Sequence, residues 1–308
     1  MATAAMKRMN ELSHTPFLDA YNAAMFQKTS AQKVIYVDSN TGTDSTTRSG
    51  EDIRSPLATI DYAVNKCTAN NLDTIIVLPM HAETVTSSIT MDVAGVAIHG
   101  LMNGNKKPII TGSGTIDALT VTADNCEVTG LHFAGPLVTA QTADINIAAA
   151  YCRVANCSHI AGLATEVKTN VYTLTAAAHY ALLENIYIMS AVVECAGAIL
   201  LEGACNSVEI RNCRIFDSIG FTNGALYDAA IATNLYIHDC HFENEKADVA
   251  VANFGSNSVG VMTYCVCAGH HSTILSNVAA GTGMDFFEVY ATEHHALNGI
   301  VAPVVDAE

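Results

Sequence analysis

The chain has 308 residues, half of them apolar, and carries 14 Lys and Arg against 30 Asp and Glu, a formal charge of −16. Such a chain has ample material for a core, and so acidic a surface repels phosphate backbones, anionic membranes and acidic sugars, which argues against nucleic-acid and membrane partners. The opening MATAAMKRMNELSHTPF lacks a signal-peptide core and no stretch reaches the roughly eighteen apolar residues of a membrane span, so the expected compartment is the cytosol of the producing cell.

Residues 1–33 do not share the periodicity of the rest of the chain. Phe17, Leu18, Tyr21, Met25 and Phe26 recur at helical spacing after Pro16, which predicts a short amphipathic helix. Two uses are open: a lid folded over the chain's own domain, or an arm whose five apolar residues grip a partner. Residues 34–72 predict a capping unit. Val34–Val37 reads as a strand, and a polar loop continues from it as far as Ser55. Pro56 then introduces, as a first-turn proline, a helix with Ile60, Ala63, Val64 and Cys67 on one face. In the loop, Asp38, Asn40 and Asp44 alternate as calcium ligands do. The spacing and closing Glu of an EF-hand are missing, and the three read as turn formers.

The string DTIIVLP from Asp73 opens a solenoid expected to run to residue 283. Its sign is a phrase repeated around the corners Gly100, Gly130, Asn156, Asn185, Asn212 and Asp239, spaced 30, 26, 29, 27 and 27 residues apart. Four positions before each corner stand Val96, Cys126, Cys152, Ala181, Val208 and Leu235; two before stand Ile98, Val128, Val154, Leu183, Ile210 and Ile237. One position after come Leu101, Leu131, Cys157, Ile186, Cys213 and Cys240, and the intervening positions are mixed and often charged. Alternation with period two is the pattern of a strand with one buried face. Gly, Asn and Asp tolerate the left-handed backbone that bends the chain between strands. Turns stacked at about 4.8 Å then bury columns of like residues. The predicted fold is all-β, a right-handed single-stranded parallel β-helix of about eight coils.

Five of the ten cysteines are explained by the same columns. Cys126 and Cys152 share one, and Cys157, Cys213 and Cys240 share another, where a thiol fills space as a small apolar group. Cys265 and Cys267 are too close for a CxxC site, and no four ligands converge for zinc, so no metal or other cofactor is expected. Beyond Asp239, residues 257–263 repeat the form of 206–212 and predict another coil, and 272–278 one more. Residues 284–308 read as a C-terminal cap or an arm.

The strings IYVDSNTGTD, SPLATIDYAVNKC and DTIIVLPMHAETV resemble the N-terminal signature of pectin-lyase-like β-helix proteins found among tailed-phage structural gene products. In that pattern a strand and Gly-Asp loop precede a Pro-x-Ala-Thr-Ile helix, and a strand ending in Pro-Gly-His comes next; here Met80 stands where Gly is usual before His81. The motif covers about residues 34–90, and coil periodicity carries the likeness onward to about 280. Polygalacturonase-like members resemble one another in paired Asp strings with His-Gly and Arg-Ile-Lys, and lyase-like members in calcium-binding carboxylates beside a basic residue. Neither set is present, and Ile98-His99-Gly100 stands alone.

Two outward columns remain as candidate sites. Glu184, Arg211 and His238 fall one per coil, about 5 Å apart, and read either as general acid–base neighbours or as a surface ion-pair ladder, with Glu127 beside Arg153 in the next column. The second column holds Met102, His132, Ser158, Tyr187, Arg214 and His241, with Leu182 and Tyr236 nearby. His132, Leu182, Tyr187, Arg214, Tyr236 and His241 are the candidates for an oligomer face. No catalytic set is assigned. The resemblance implies a non-enzymatic virion protein of a tailed phage, most simply a trimeric decoration or cement subunit on the capsid exterior, assembled in the host cytoplasm and contacting the major capsid protein or another virion protein. The alternatives are a tailspike-like or fibre-like host-glycan binder and, in another class, a polysaccharide lyase or hydrolase.

Overall fold

Single left-handed residues set the shape of this molecule. The computed structural model describes residues 32–293, apart from 103–105, 135–140, 162–167, 191–194, 218–219, 247–248, 270–277 and 281–282. Gly130, Asn156, Asn185, Asn212 and Asp239 have φ between +52° and +71°. Each turns its amide outward to the following turn: Gly130 N–H donates to Ala155 O at 3.2 Å, Asn156 to Glu184 O at 3.0 Å and Asn185 to Arg211 O at 3.1 Å. The bend therefore keeps the corner amide hydrogen-bonded, as a buried ladder requires of its donors.

The corner phrases wind as successive turns of a parallel β-solenoid, and strands before and after them extend its sheets to ten, eight and nine strands among the described residues. The ten-stranded first sheet runs from Val34–Val37 and Thr74–Val77 through the strands that precede the corners to Met284–Phe287. The nine-stranded second sheet begins at Ala82–Val85 and takes the strands after the corners; the eight-stranded third sheet begins at Ile89–Met91. Pairing is parallel and in column register, as in Glu127 beside Arg153 beside Leu182 beside Glu209, with a shift in the third sheet between Cys195 and Gly197. The inward columns are closed. Every residue expected two or four positions before a corner is at most 2% exposed.

The first corner departs from the expectation. Gly100 lies within the strand Ala97–Gly100 and is not among the left-handed residues. Without that bend the alternation runs on, Leu101 emerges on the outside at 42% exposure, and Ile109 replaces Met102 beside His132. A Cβ on Gly100 would come within 2.4 Å of the Gly130 carbonyl, so this position needs glycine for closeness to the next turn. A second left-handed column, Asn125, Tyr151, Tyr180, Ser207 and Asn234, stands five residues before the first and is not read from the sequence.

At the N-terminal end the edges are covered. Tyr36 N–H donates to Gly50 O and Leu57 N–H to Tyr36 O, so the loop seals the outer edge of Val34–Val37. The helix begins at Ile60, four residues after Pro56, because Thr59 caps it by accepting from Tyr62 N–H; Ile60, Ala63 and Val64 face the core. Its Asp61 accepts from Thr90 N–H on the outermost strand of the third sheet. His81 is wholly buried between the Ser39 amide and Glu83, and Met80 before it takes φ +68°, the conformation for which glycine is usual there. Asp38 is occupied by Asn40 and Thr41, and Asp44 by Ala58 and Thr59, so both carboxylates shape the loop.

The solenoid also outruns its expected end. Met284–Phe287 pairs with Gly260–Thr263, and Tyr290–Glu293 with Val266–Gly269, so residues 284–293 continue the sheets and are not a terminal cap. Phe17, Leu18, Tyr21, Met25 and Phe26 lie outside the described residues, as do residues 294–308.

Candidate functional site

On the outer face of the first sheet, residues three and one before each corner stack into two columns, and their long side chains join across them. Arg153 reaches Glu127 at 2.6 Å and Glu184 at 2.8 Å; Arg211 reaches Glu184 at 3.0 Å and Glu209 at 2.9 Å. His238 closes the series on Glu209 at 3.2 Å and on Asp239 at 2.6 Å. Glu184, Arg211 and His238 do stand one above another, and the partner column binds them into one network. The hydrogen bond from Arg153, with the Arg211 charge adding to it, holds the Glu184 carboxyl below its ordinary range despite an opposing burial effect. A carboxylate clamped by two guanidinium groups is a poor proton donor or acceptor near neutrality.

The outer face of the second sheet is different. His132, Ser158, Tyr187, Arg214 and His241 form one column, and Met189 and Phe216 pair in the next. Tyr187, Met189 and Ile109 are each more than a third exposed. The Tyr187 and Phe216 rings lie 6.1 Å apart, and Phe216 lies 5.0 Å from His241. This is a contiguous aromatic and thioether surface. Leu182 and Tyr236 belong to the first sheet instead, in the ladder's column beside Glu209, so the six face candidates are divided between two sheets.

Ser158 and His132 form a pair on this face, with His132 Nδ1 2.9 Å from Ser158 Oγ and Lys107 Nζ 3.5 Å from the same oxygen. Burial, then the Lys107 charge, push His132 down to about 4. A base that weak takes a serine proton poorly near neutrality.

One cluster escaped the sequence altogether. Asp144 on the strand Ala143–Ile147, His159 on Ser158–Ala161 and Lys168, just before Asn170–Leu174, meet inside the solenoid, none more than 2% exposed. Lys168 Nζ donates to Asp144 Oδ1 at 2.5 Å and lies 3.0 Å from His159 Nδ1; the same imidazole nitrogen is 2.9 Å from Asp144 Oδ2. Gln141 Nε2 also donates to Asp144 Oδ1, at 3.3 Å. Burial alone would raise the Asp144 carboxyl, but the Lys168 and His159 charges beside it hold it below its ordinary value. The available signal was His159 itself, which interrupts an inward column that otherwise reads Phe133, Ile188, Ile215 and Phe242.

The column cysteines sit as expected in the core. Cys213 and Cys240 are buried in successive turns, with the Cys213 amide 3.5 Å from Cys240 Sγ, and Cys265 extends the stack. Burial pushes Cys157 up to about 12, which keeps it a thiol. Among the described residues no group of three or more His, Cys, Asp or Glu is arranged to hold a metal ion. No family model matches the chain, and no curated protein or solved structure matches it.

Proposed function

We propose that this chain is a non-enzymatic structural subunit of a tailed-phage virion, a decoration or cement protein that packs side by side as a trimer on the capsid exterior. The state of Glu184 carries the reading. Its carboxylate is the best-placed acid–base candidate on the outer strands, and it is spent between Arg153 and Arg211. A rigid solenoid whose outward carboxylates form a ladder suits a load-sharing part better than a glycan-cleaving one. The aromatic face of Tyr187, Met189 and Phe216 suits lateral packing, and the motif likeness of residues 34–90 supports the virion class.

Sedimentation of the purified chain should give a trimer that Met189→Glu or Tyr187→Glu converts to monomer, and the trimer should bind capsids lacking it. Removal of residues 1–30 should abolish that binding while leaving the trimer intact. A wild-type chain that stays monomeric and ignores such capsids, or that turns over members of a broad glycan panel, would sink the reading; glycan turnover lost in Glu184→Ala would favour the lyase or hydrolase.

A further inference from the structure

An amine, a carboxylate and an imidazole are held together at Lys168, Asp144 and His159 where water has almost no access. Nζ and Oδ1 are in direct contact at 2.5 Å, and His159 Nδ1 faces both reacting groups, 3.0 Å from the amine and 2.9 Å from Oδ2. Phe133 and Ile188 flank His159 in the neighbouring turns, so the site is enclosed by apolar side chains. We infer that Lys168 and Asp144 condense into an intramolecular amide, a covalent staple between two successive turns of the solenoid, with His159 as the proton carrier.

The chemistry needs no co-reactant. A proton passes from the Lys168 ammonium through His159 Nδ1 to Asp144 Oδ2, leaving a neutral amine beside a neutral acid. The Nζ lone pair attacks Cγ and forms the C–N bond. His159 Nδ1 takes a second proton from Nζ and delivers it to Oδ2, the C–Oδ2 bond breaks, that oxygen leaves as water carrying both protons, and Oδ1 stays as the amide carbonyl. His159 ends as it began, and nothing is oxidised or reduced.

Two effects favour reaction at this place. Contact held by the fold replaces an encounter in solution, which is equivalent to an effective concentration of about 10⁵–10⁸ M for a well-aligned pair. The amide also removes two charges from a dry interior, where an ionised group is costly to keep. Gln141 Nε2, already donating to Oδ1, is placed to steady the oxygen that becomes the amide carbonyl. The bond joins residues 24 apart in sequence, and the backbone bridge from Gln141 to Lys168 already brings these turns together. Turns of a solenoid hold one another only through neighbours, so a staple at one junction prevents peeling there. It is independent of any virion role.

Intact-mass measurement of the full chain under denaturing conditions should give one water less than the sequence requires, and a digest should contain a branched peptide joining the segments around Lys168 and Asp144. Lys168→Arg should restore the full mass. His159→Gln, with its far-UV spectrum unchanged, should slow formation of the branched peptide by about a hundredfold. A wild-type chain of full mass whose Lys168 is cleaved by trypsin overturns the staple, and a branched peptide running to Gln141 overturns the choice of Asp144. An unchanged rate in His159→Gln overturns the part given to the imidazole.

Discussion

The outer ladder of the first sheet and the buried cluster of Asp144, His159 and Lys168 use the same kinds of side chain for opposite physical ends. In the ladder, Arg153 and Arg211 are about a third exposed, so water screens each pair and each contributes about 0.2–1 kcal/mol. In the cluster all three groups have lost their water. A buried ion pair adds little over an apolar replacement of the same shape, yet removing one member strands the other. The first arrangement is a tolerant surface seam, and the second fixes which two turns lie together and in what register.

That contrast can be broken most forcefully from the inside. Asp144→Ala or Lys168→Ala, each of which loses the amide and strands the remaining charge, should destabilise the chain by about 3–5 kcal/mol in urea melts, whereas the combined Asp144→Leu, Lys168→Met and His159→Leu change, which loses the amide but strands no charge, should recover only part of the loss. Equal losses in single and combined variants would mean that a stranded charge adds nothing to the loss of the amide. The pH response comes next. His132 has its ordinary 6.5 in the unfolded chain and about 4 when folded, so between those values the unfolded state binds the extra proton. Stability should therefore fall as pH drops from about 6.5 towards 4, and His132→Gln should flatten that part of the profile in thermal melts.

Smaller effects belong to the surface. Glu184→Gln should cost about 1 kcal/mol or less, and the difference from wild type should shrink in 1 M salt, where the Debye length is about 3 Å. Smallest of all, Glu127→Gln at the end of the ladder should change stability by about half a kcal/mol or less, measured the same way. A salt-insensitive loss at Glu184 would erase the distinction between the two regions.

The columns were legible because period-two alternation and the corner residues are local signals. Val96 to Leu235 and Ile98 to Ile237 are buried as the alternation requires, and Asn156, Asn185, Asn212 and Asp239 take the left-handed conformation that their side chains tolerate. The ladder was legible for the same reason, since column neighbours are set by the repeat. The second left-handed column was not, because Tyr151 and Tyr180 carry no turn preference; their exposed rings stack at 4.8 Å and the solenoid holds their backbone. Leu101 was misplaced because Gly100 reads as a corner, while its role is close approach to Gly130. The division of Leu182 and Tyr236 from Tyr187 depends on which side of the corner each stands, and that decides which sheet carries it.

By itself the sequence determined that this chain winds into a solenoid of parallel strands, which side chains fill it and which charged residues stack along its wall. A repeat maps position onto position, and nothing more is needed for those. Only the tertiary structure decided that Lys168, nine residues beyond His159 and twenty-four beyond Asp144, enters the core to meet both. Neither interval is the period of the coil. Asp144 and Lys168 come from successive turns on the third-sheet side and His159 from the second sheet, and their meeting is fixed by how the sheets close around a shared interior.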